Sequence, residues 1–510
     1  MKKLPLVLLL VILTLSGCAD GGAAQPAPEP EPSVSVTPTR TPEQFALPYY
    51  PGTSLHPITG TNRSDLILAS LTCQGLFELD NTFSASPVLC SESSVSEDGL
   101  VWTFTLGAHT FSDGSPVTAA DVVSSLELAR VRGLYAARLS GIRRIAAGED
   151  GTVIITLSAP NSLLPCLLDV PIIRESGDGS MPLGTGPYFF VEDDGPLRLS
   201  RRDDAPATAP EEIALVPIEA ADDLIYAFDC GSVSLVVSDL TGSNALGYSS
   251  GCEEFSYPTT SMLYVGFQTG SGFCRNAAVR QAISRCFDRS AVTGSLLAGH
   301  AAETALPFSP HCALYRADRE PAPAYADDAA ILFTQAGCTI GENGRLYLGR
   351  APLSLTFIVN TDNSFKLAVA EHLAQQLTEL GVTVELEKLP WDDYTKALEA
   401  GDFDLYLAEV ALTADFDLTA LLTRDGALNY GAFSGRELEA RLLELRAAPD
   451  EQREQAAAAF LEQFLTDAPF APLCFKDHAV LTRWGSVSGL RPTRQNPFYD
   501  LENLRFGAVN

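Results

Sequence analysis

The alternation of apolar and polar positions is clearest over residues 95–130, VSEDGLVWTFTLGAHTFSDGSPVTAADVVSSLELAR. Residues 101–106 place β-branched and aromatic residues at alternate positions, which predicts a strand. Ser112-Asp113-Gly114 predicts a turn. Thr118, three residues before the carboxylate of Asp121 and just ahead of an apolar run, predicts a capped helix that begins directly after Thr118.

Similar patterns along the rest of the chain predict an α/β protein in which helices and strands alternate and some strands are parallel. Strands are predicted at 45–50, 151–157, 189–191, 213–218, 234–238, 262–268, 353–359 and 382–387. Helices are predicted at 66–77, from 161 onward, and at 222–228, 278–283, 325–336, 365–380, 436–447 and 451–465.

Length and charge limit the class of protein. A chain of 510 residues exceeds one ordinary core, so two or three domains are expected. Lys and Arg number 34 against 64 Asp and Glu, and the net charge of -30 opposes binding to nucleic acid or to an anionic membrane surface.

The N-terminus carries the signs of export. Lys2 and Lys3 precede an apolar run, residues 4–15, that is shorter than the roughly 20 residues needed to span a bilayer, so we interpret residues 1–17 as a signal peptide. Leu15-Ser16-Gly17-Cys18 resembles the bacterial lipobox, and this resemblance implies cleavage before Cys18 and its lipidation. An ordinary secretory signal or a short membrane stub is the alternative.

Residues 18–44 are rich in Pro, Ala, Glu and Thr, without apolar periodicity, which predicts a disordered tether. We therefore expect a protein anchored by lipid to the extracytoplasmic face of the cell membrane.

Ten cysteines follow Cys18, none in a Cys-x-x-Cys pair, so neither a zinc ribbon nor a thioredoxin-like site is indicated. The sequence allows these cysteines to form disulfides or to be buried as free thiols. The six histidines are scattered without ligand spacing, and neither a metal nor a cofactor is expected.

Two motifs carry a family resemblance. Residues 98–128 contain DG-L-x-W-x-F-x-L followed by F-SDG-x-P-V-TA-x-DVV-x-S-L, and residues 279–289 contain VRQAI followed by Asp-Arg. Both resemble the peptide and nickel ABC-transporter family of solute-binding proteins, extracellular family 5, and matches run from about residue 55 to the end of the chain. The resemblance implies a two-lobed periplasmic-binding-protein fold of type II, in its large three-domain form, with mixed sheets and a hinge.

The same resemblance implies domain boundaries. Domain I is expected to combine residues 45–74, 181–262 and 479–510, domain II to cover 75–180, and domain III to cover 263–478. Gly184-Thr-Gly-Pro-Tyr188 resembles the family's return into domain I. A phosphate-binding loop is excluded there because no Lys and no helix follow.

A candidate binding residue follows from the segment Ala414-Asp415-Phe416-Asp417, which resembles the family's Ala-Asp-Tyr. In peptide-binding members that aspartate pairs with the ligand's α-ammonium group, so Asp415 is expected to bind an ammonium; the alternative is a solvated loop aspartate. The family's preceding Trp is absent from 411–413, its following Pro is replaced, and 405–410 lacks an arginine. Trp391 and Tyr264 match aromatic pocket positions of the family, although either could equally lie in the core.

An enzyme is the competing class. Pairs such as Asp402 with Asp404 could supply an acid and a base, but no Gly-x-Ser-x-Gly, His-Glu-x-x-His or other catalytic motif occurs. We therefore expect a protein that is not an enzyme, a monomeric solute-binding lipoprotein that delivers peptides to an ABC permease. The alternatives are another solute, such as a nickel complex, an opine or an oligosaccharide, and, from other classes, a secreted hydrolase or an adhesin.

Overall fold

The computed structural model describes residues 44–507 apart from 178, 244–246, 248–250 and 325. The predicted signal peptide, nearly all of the tether, and Cys18 lie outside these residues. Among the described residues, no helix combines the length and the apolar character needed to cross a bilayer.

The strands are β1 Ala46–Tyr49, β2 Phe77–Leu79, β3 Ala85–Pro87, β4 Cys90–Val95, β5 Val101–Leu106, β6 Ile142–Ala147, β7 Val153–Leu157, β8 Tyr188–Val191, β9 Arg198–Arg201, β10 Glu212–Pro217, β11 Leu235–Ser238, β12 Cys252–Phe267, β13 Ala301–Glu303, β14 Cys338–Ile340, β15 Leu346–Leu348, β16 Ala351–Pro352, β17 Ser354–Asn360, β18 Thr383–Leu389, β19 Leu405–Ala411, β20 Phe470–Arg483, β21 Val487–Ser488 and β22 Arg505–Phe506.

The helices are α1 Arg63–Thr72, α2 Ala119–Val131, α3 Ala221–Asp229, α4 Ala277–Cys286, α5 Arg289–Ala291, α6 Ala326–Gln335, α7 Ser364–Glu379, α8 Trp391–Ala400, α9 Thr419–Leu422, α10 Arg436–Ala447 and α11 Asp450–Asp467.

Three larger sheets organise the described chain. The β8 sheet has the order β1-β10-β9-β8, and the β5 sheet has the order β4-β5-β7-β6. The β12 sheet runs β11-β20-β12-β19-β17-β18, with β13 paired to β20. The sheets are mixed: β17 pairs in parallel with β18 and β19, and β1 with β10, whereas the β5 sheet is antiparallel throughout. The predicted fold class, including its mixed sheets, is confirmed.

Two long antiparallel strands, β12 and β20, connect the cores. The half of β12 near Tyr257 packs into the core below the β8 sheet, and the half from Leu263 to Phe267 packs into the core of the β12 sheet. Their pairing shifts register between Pro258 and Met262 and again between Leu263 and Tyr264. Register irregularities of this kind bend a strand pair and increase its local twist.

The opening motif folds as its pattern predicts. Thr118 N–H donates to Asp121 Oδ2 at 2.8 Å at the start of α2, and Gly114 lies in the left-handed region at φ +82°, as a tight turn requires. Asp121 also accepts hydrogen bonds from Arg174 at 2.8 and 2.6 Å. The carboxylates of this motif are therefore bound within the protein scaffold.

The helix predicted from residue 161 is wrong. A single 3-10 turn, Leu164–Leu167, forms instead, because Pro165 lacks the N–H of a helix interior and its ring would clash with the carbonyl of Asn161. The helix predicted at 66–77 ends early, at Thr72. There the Thr72 carbonyl accepts the Gly186 N–H at 2.9 Å, and a Cβ on Gly186 would meet the Thr72 backbone at 2.5 Å. The Gly-Thr-Gly-Pro-Tyr motif thus allows two backbones to touch.

The question of disulfides is settled in the described region. All ten cysteines after Cys18 are free, and eight of the ten are buried. Burial raises the pKa of thiols such as Cys73, to about 12, so these residues act as small apolar side chains.

Candidate functional site

Asp415 lies in the loop after β19, at the contact between the β12 sheet and the chain around the β5 sheet. The residue is 7% exposed. Asn161 Nδ2 donates to Asp415 Oδ2 at 2.8 Å, and the Thr413 hydroxyl donates to Oδ1. Both carboxylate oxygens therefore have a neutral donor, and neither donor is a cation.

The surroundings of Asp415 disfavour its charge. Burial raises the pKa of Asp415 above its ordinary value, and the neighbouring Asp417 carboxylate raises it further. The Thr413 and Asn161 hydrogen bonds and the Arg446 charge offset this shift only in part. Arg446 is itself paired with Asp417, so Asp415 has no cation of its own within the described chain.

The turn that carries Asn161 docks on α10 and α11. Ser162 N–H donates to the Arg446 carbonyl at 2.7 Å, and Arg453 Nη2 donates to Ser162 Oγ at 3.2 Å. Phe83 meets Phe416 edge to face, with ring centroids 5.1 Å apart. These contacts close one side of the protein onto the other around Asp415.

A cavity of about 490 Å³ lies beside this contact. Ala414 and Phe416, the sequence neighbours of Asp415, line it, and we call it the Trp102 cavity after the indole at its other side. Its apolar wall consists of Phe77, Phe83, Pro87, Trp102, Leu163, Pro165, Leu314 and Phe416, with serine, threonine and charged side chains between them.

A second cavity, of about 580 Å³, lies where the β5 sheet meets the β8 sheet. Glu78 borders it and accepts a hydrogen bond from Asn496 Nδ2 at 2.7 Å. Burial raises the pKa of Glu78 above its ordinary value, an effect that the Asn496 hydrogen bond reduces and the Asp500 charge increases. Arg202 borders the same space but is bound to Asp204 at 3.0 Å.

The two aromatic candidates occupy different positions in the fold. Trp391 starts α8, is 56% exposed and contacts Tyr394. Tyr264 is buried in the core, where its ring meets those of Tyr406 at 5.9 Å and Phe470 at 5.3 Å. This placement matches the core alternative for Tyr264, so its contact with a solute remains a prediction, as does that of Trp391.

A buried charge network between β11 and β19 was not among the sites that the sequence predicted. Lys476, 2% exposed on β20, lies 2.8 Å from Asp239 Oδ2 and 3.5 Å from Glu409 Oε2. Lys366 Nζ lies 2.9 Å from the same Glu409 oxygen, and His478 Nε2 lies 3.6 Å from Asp239. The signal was available, since Lys-Asp-His interrupts an otherwise apolar strand sequence.

The fold defines a class before any relative is considered: an α/β binding protein with separate cores, connecting strands and a buried contact between its sides. Comparison with known proteins gives the family. The profile of the bacterial extracellular solute-binding proteins, family 5 middle, matches residues 84–425, and the chain belongs to this family.

Individual relatives agree with that assignment. The chain is 27% identical over 277 residues, 49% of its length, to a putative ABC transporter peptide-binding protein of Brucella ovis, and the match spans about half, 51%, of that relative. It is 26% identical over 435 residues to the periplasmic murein peptide-binding protein MppA of Escherichia coli, covering 74% of this chain and 77% of MppA. Among solved structures, a nickel ABC transporter protein from Bacillus halodurans superposes with a TM-score of 0.74 at 20% identity, over 89% of this chain and 98% of that one.

Proposed function

We propose that this protein is the extracytoplasmic receptor of an ABC importer and that it captures peptides through their terminal ammonium group. The observation that carries the proposal is Asp415, a carboxylate buried between two sides of the molecule with only neutral donors bound to it. A buried carboxylate gains most from a cation that pairs with it, because an ammonium makes charge-assisted hydrogen bonds and removes the unpaired charge. The names of the two relatives, a putative peptide-binding protein in Brucella ovis and the murein peptide-binding protein of E. coli, support this choice of solute.

Capture requires the two sides to separate and close again. When the turn at Asn161 leaves Asp415, the carboxylate becomes accessible, and an ammonium can take the place of the amide. Closure then buries the solute between the β5 and β12 sheets, and the shift in population toward the closed form is what a permease would recognise. The register shifts in β12 and β20 supply a place for the rotation.

The predicted lipid anchor completes the proposal. Lipidation at Cys18 would hold the receptor at the extracytoplasmic face of the membrane, beside its permease. Replacing Cys18 with Ser is expected to abolish the incorporation of labelled fatty acid into the protein, and a variant that is still labelled would contradict this anchor.

A binding screen tests the solute class. The purified protein is mixed with di- to hexapeptides, the same peptides with acetylated N-termini, a nickel-histidine complex and oligosaccharides, and Tm is measured. Free peptides are expected to raise Tm through binding to the native state, and the acetylated peptides are not. A Tm rise with nickel-histidine or a sugar alone would overturn peptide capture.

The variant Asp415→Asn tests the residue. It keeps the shape of the side chain and removes its charge, so affinity for free peptides is expected to fall at least tenfold, about 1.4 kcal/mol or more. Asp402→Asn, at an exposed carboxylate, is the matched control. Unchanged affinity in Asp415→Asn would remove this residue from the site.

A further inference from the structure

The Trp102 cavity has the size of a small-molecule site and walls from both sides of the molecule. Its volume of about 490 Å³ lies within the range of about 300–1,000 Å³ typical of ligand pockets. Phe77 and Trp102 belong to the chain around the β5 sheet, and Leu314 and Phe416 to the chain around the β12 sheet. Both walls would exclude water from an apolar group bound in this cavity.

The indole of Trp102 has an unused donor. Trp102 is 7% exposed and stacks on Phe104 with ring centroids 5.8 Å apart and planes 6° from parallel, which fixes its orientation. Its Nε1–H is buried, with no acceptor among the described residues. A buried N–H without an acceptor is costly, and buried indoles normally find one. Trp102 borders the cavity, and its N–H, which is covered in this closed arrangement, becomes open to a molecule in the cavity when the two sides separate.

Arg453 brings a second donor to the same cavity. Its Nη2 is bound to Asp450 at 2.5 Å and to Ser162 at 3.2 Å, whereas its buried Nε–H has no acceptor within the described part of the chain. Two exposed carboxylates, Glu92 and Asp450, border the cavity beside this one guanidinium. A neutral carbonyl oxygen therefore suits these donors better than a carboxylate does.

We propose that the Trp102 cavity binds a bulky apolar side chain of the solute and that Trp102 Nε1 and Arg453 Nε donate to backbone carbonyl oxygens beside it. The proposal rests on peptide capture and narrows it to peptides that carry an aromatic or large aliphatic residue. Asp415 lies between Ala414 and Phe416, which both line the cavity. Asp415 therefore holds the ammonium of such a peptide, and the cavity selects its side chain.

Affinity measurements test the selectivity. Trialanine is compared with its three variants that carry one phenylalanine, by calorimetry. One phenylalanine position is expected to strengthen binding more than tenfold. Trp102→Phe keeps a stacking ring and removes the N–H, so it is expected to weaken binding of that peptide about threefold to tenfold, whereas Trp484→Phe, at an exposed indole, leaves it unchanged. Equal affinities for all four peptides, or for Trp102→Phe and the native protein, would overturn the proposal.

The NMR signal of the Trp102 indole N–H provides a second measurement. The chain has three tryptophans, so its ¹⁵N-labelled indoles give three signals that Trp→Phe variants assign. The phenylalanine peptide is expected to move the Trp102 N–H signal downfield, as a new hydrogen bond requires, and to leave that of Trp484 in place. A Trp102 signal that saturating peptide leaves unmoved would contradict the proposal.

A small probe separates this proposal from the proposed function. Phenylacetamide carries a ring and a neutral carbonyl but no ammonium. If the native protein binds no peptide and phenylacetamide still moves the Trp102 signal, peptide capture fails and the cavity assignment stands as a site for apolar carbonyl compounds. If calorimetry shows peptide binding but neither compound moves the Trp102 signal, the cavity assignment fails and peptide capture stands.

Discussion

Asn161 Nδ2 donates a 2.8 Å hydrogen bond to Asp415 Oδ2, joining two residues 254 positions apart across the contact between the β5 and β12 sheets. The turn that presents Asn161 is held in place because Asn161 Oδ1 accepts the Leu163 N–H at 3.0 Å. Under the proposed function, the amide occupies the position on Asp415 that the ammonium of a peptide takes when the solute binds.

Replacing Asn161 with Ala is expected to loosen this closure. The variant loses a hydrogen bond of about 1 kcal/mol, so the solute-free protein should become more open, which X-ray scattering detects as a larger radius of gyration. An incoming ammonium would no longer displace the amide, and affinity for free peptides should rise about threefold to tenfold. Asn343→Ala, in an exposed turn, is the control. Weaker peptide binding by the Asn161 variant would mean that Asn161 contacts the solute itself.

Lys476 is expected to dominate the stability of the strand pair β12 and β20. Burial alone would raise the pKa of Asp239, but the Lys476 charge and hydrogen bond hold it below its ordinary value. Lys476→Met leaves Asp239 without its main partner and should cost about 3–5 kcal/mol, measured by urea unfolding. Lys388→Met breaks an ion pair with Glu371 that is about half exposed on both sides and should cost less than about 1 kcal/mol. Equal losses in the two variants would contradict the burial argument.

Asp477, next in the chain, should make stability depend on pH. Burial raises the pKa of Asp477 to about 6, so between pH 4 and 6 the folded protein holds a proton that the unfolded chain has released. Stability therefore falls as pH rises through this window and levels off above it, by about 2 kcal/mol.

Asp477→Asn removes this titration. The variant is expected to be more stable than the native protein at pH 7 and nearly equal to it at pH 4, in urea unfolding at both pH values. Asp402→Asn, at an exposed carboxylate, should leave the pH profile unchanged. If stability falls between pH 4 and 6 by the same amount in Asp477→Asn as in the native protein, the assignment to Asp477 is refuted.

Asp121 should matter for stability and not for solute binding. Its carboxylate accepts from the Thr118 N–H and from Arg174, so Asp121→Asn is expected to lower the free energy of unfolding by about 1–3 kcal/mol. Affinity for peptides should not change. Asp150→Asn, in an exposed turn where the carboxylate accepts the Thr152 hydroxyl, should leave the free energy of unfolding nearly unchanged. A loss of affinity in Asp121→Asn would give this motif a part in binding.

Local elements were predictable because their causes are local. The alternation in β5, the turn at Gly114 and the cap at Thr118 each depend on residues within a few positions of one another. The errors have the same origin: the helix expected from Asn161 fails at Pro165, a breaker that the sequence displays.

The candidate site was predictable only in part. Asp415 was found through its family resemblance, whereas Asn161, Arg453 and Trp102 carry no motif that links them to it. Trp102 belongs to the scaffold pattern of its strand, and only the fold reveals that its N–H lies buried at a cavity wall without an acceptor.

The sequence by itself determined the class of protein, the order of most helices and strands, and the residue on which binding is expected to depend. The tertiary structure decided what surrounds that residue: the amide that covers Asp415, the lysine buried between Asp239 and Glu409, and the cavity between two sheets. The physical reason is the separation along the sequence over which each interaction acts. Hydrophobic periodicity and capping act over a few residues, whereas burial and ion pairing depend on which distant segments meet, and only the packed chain specifies that.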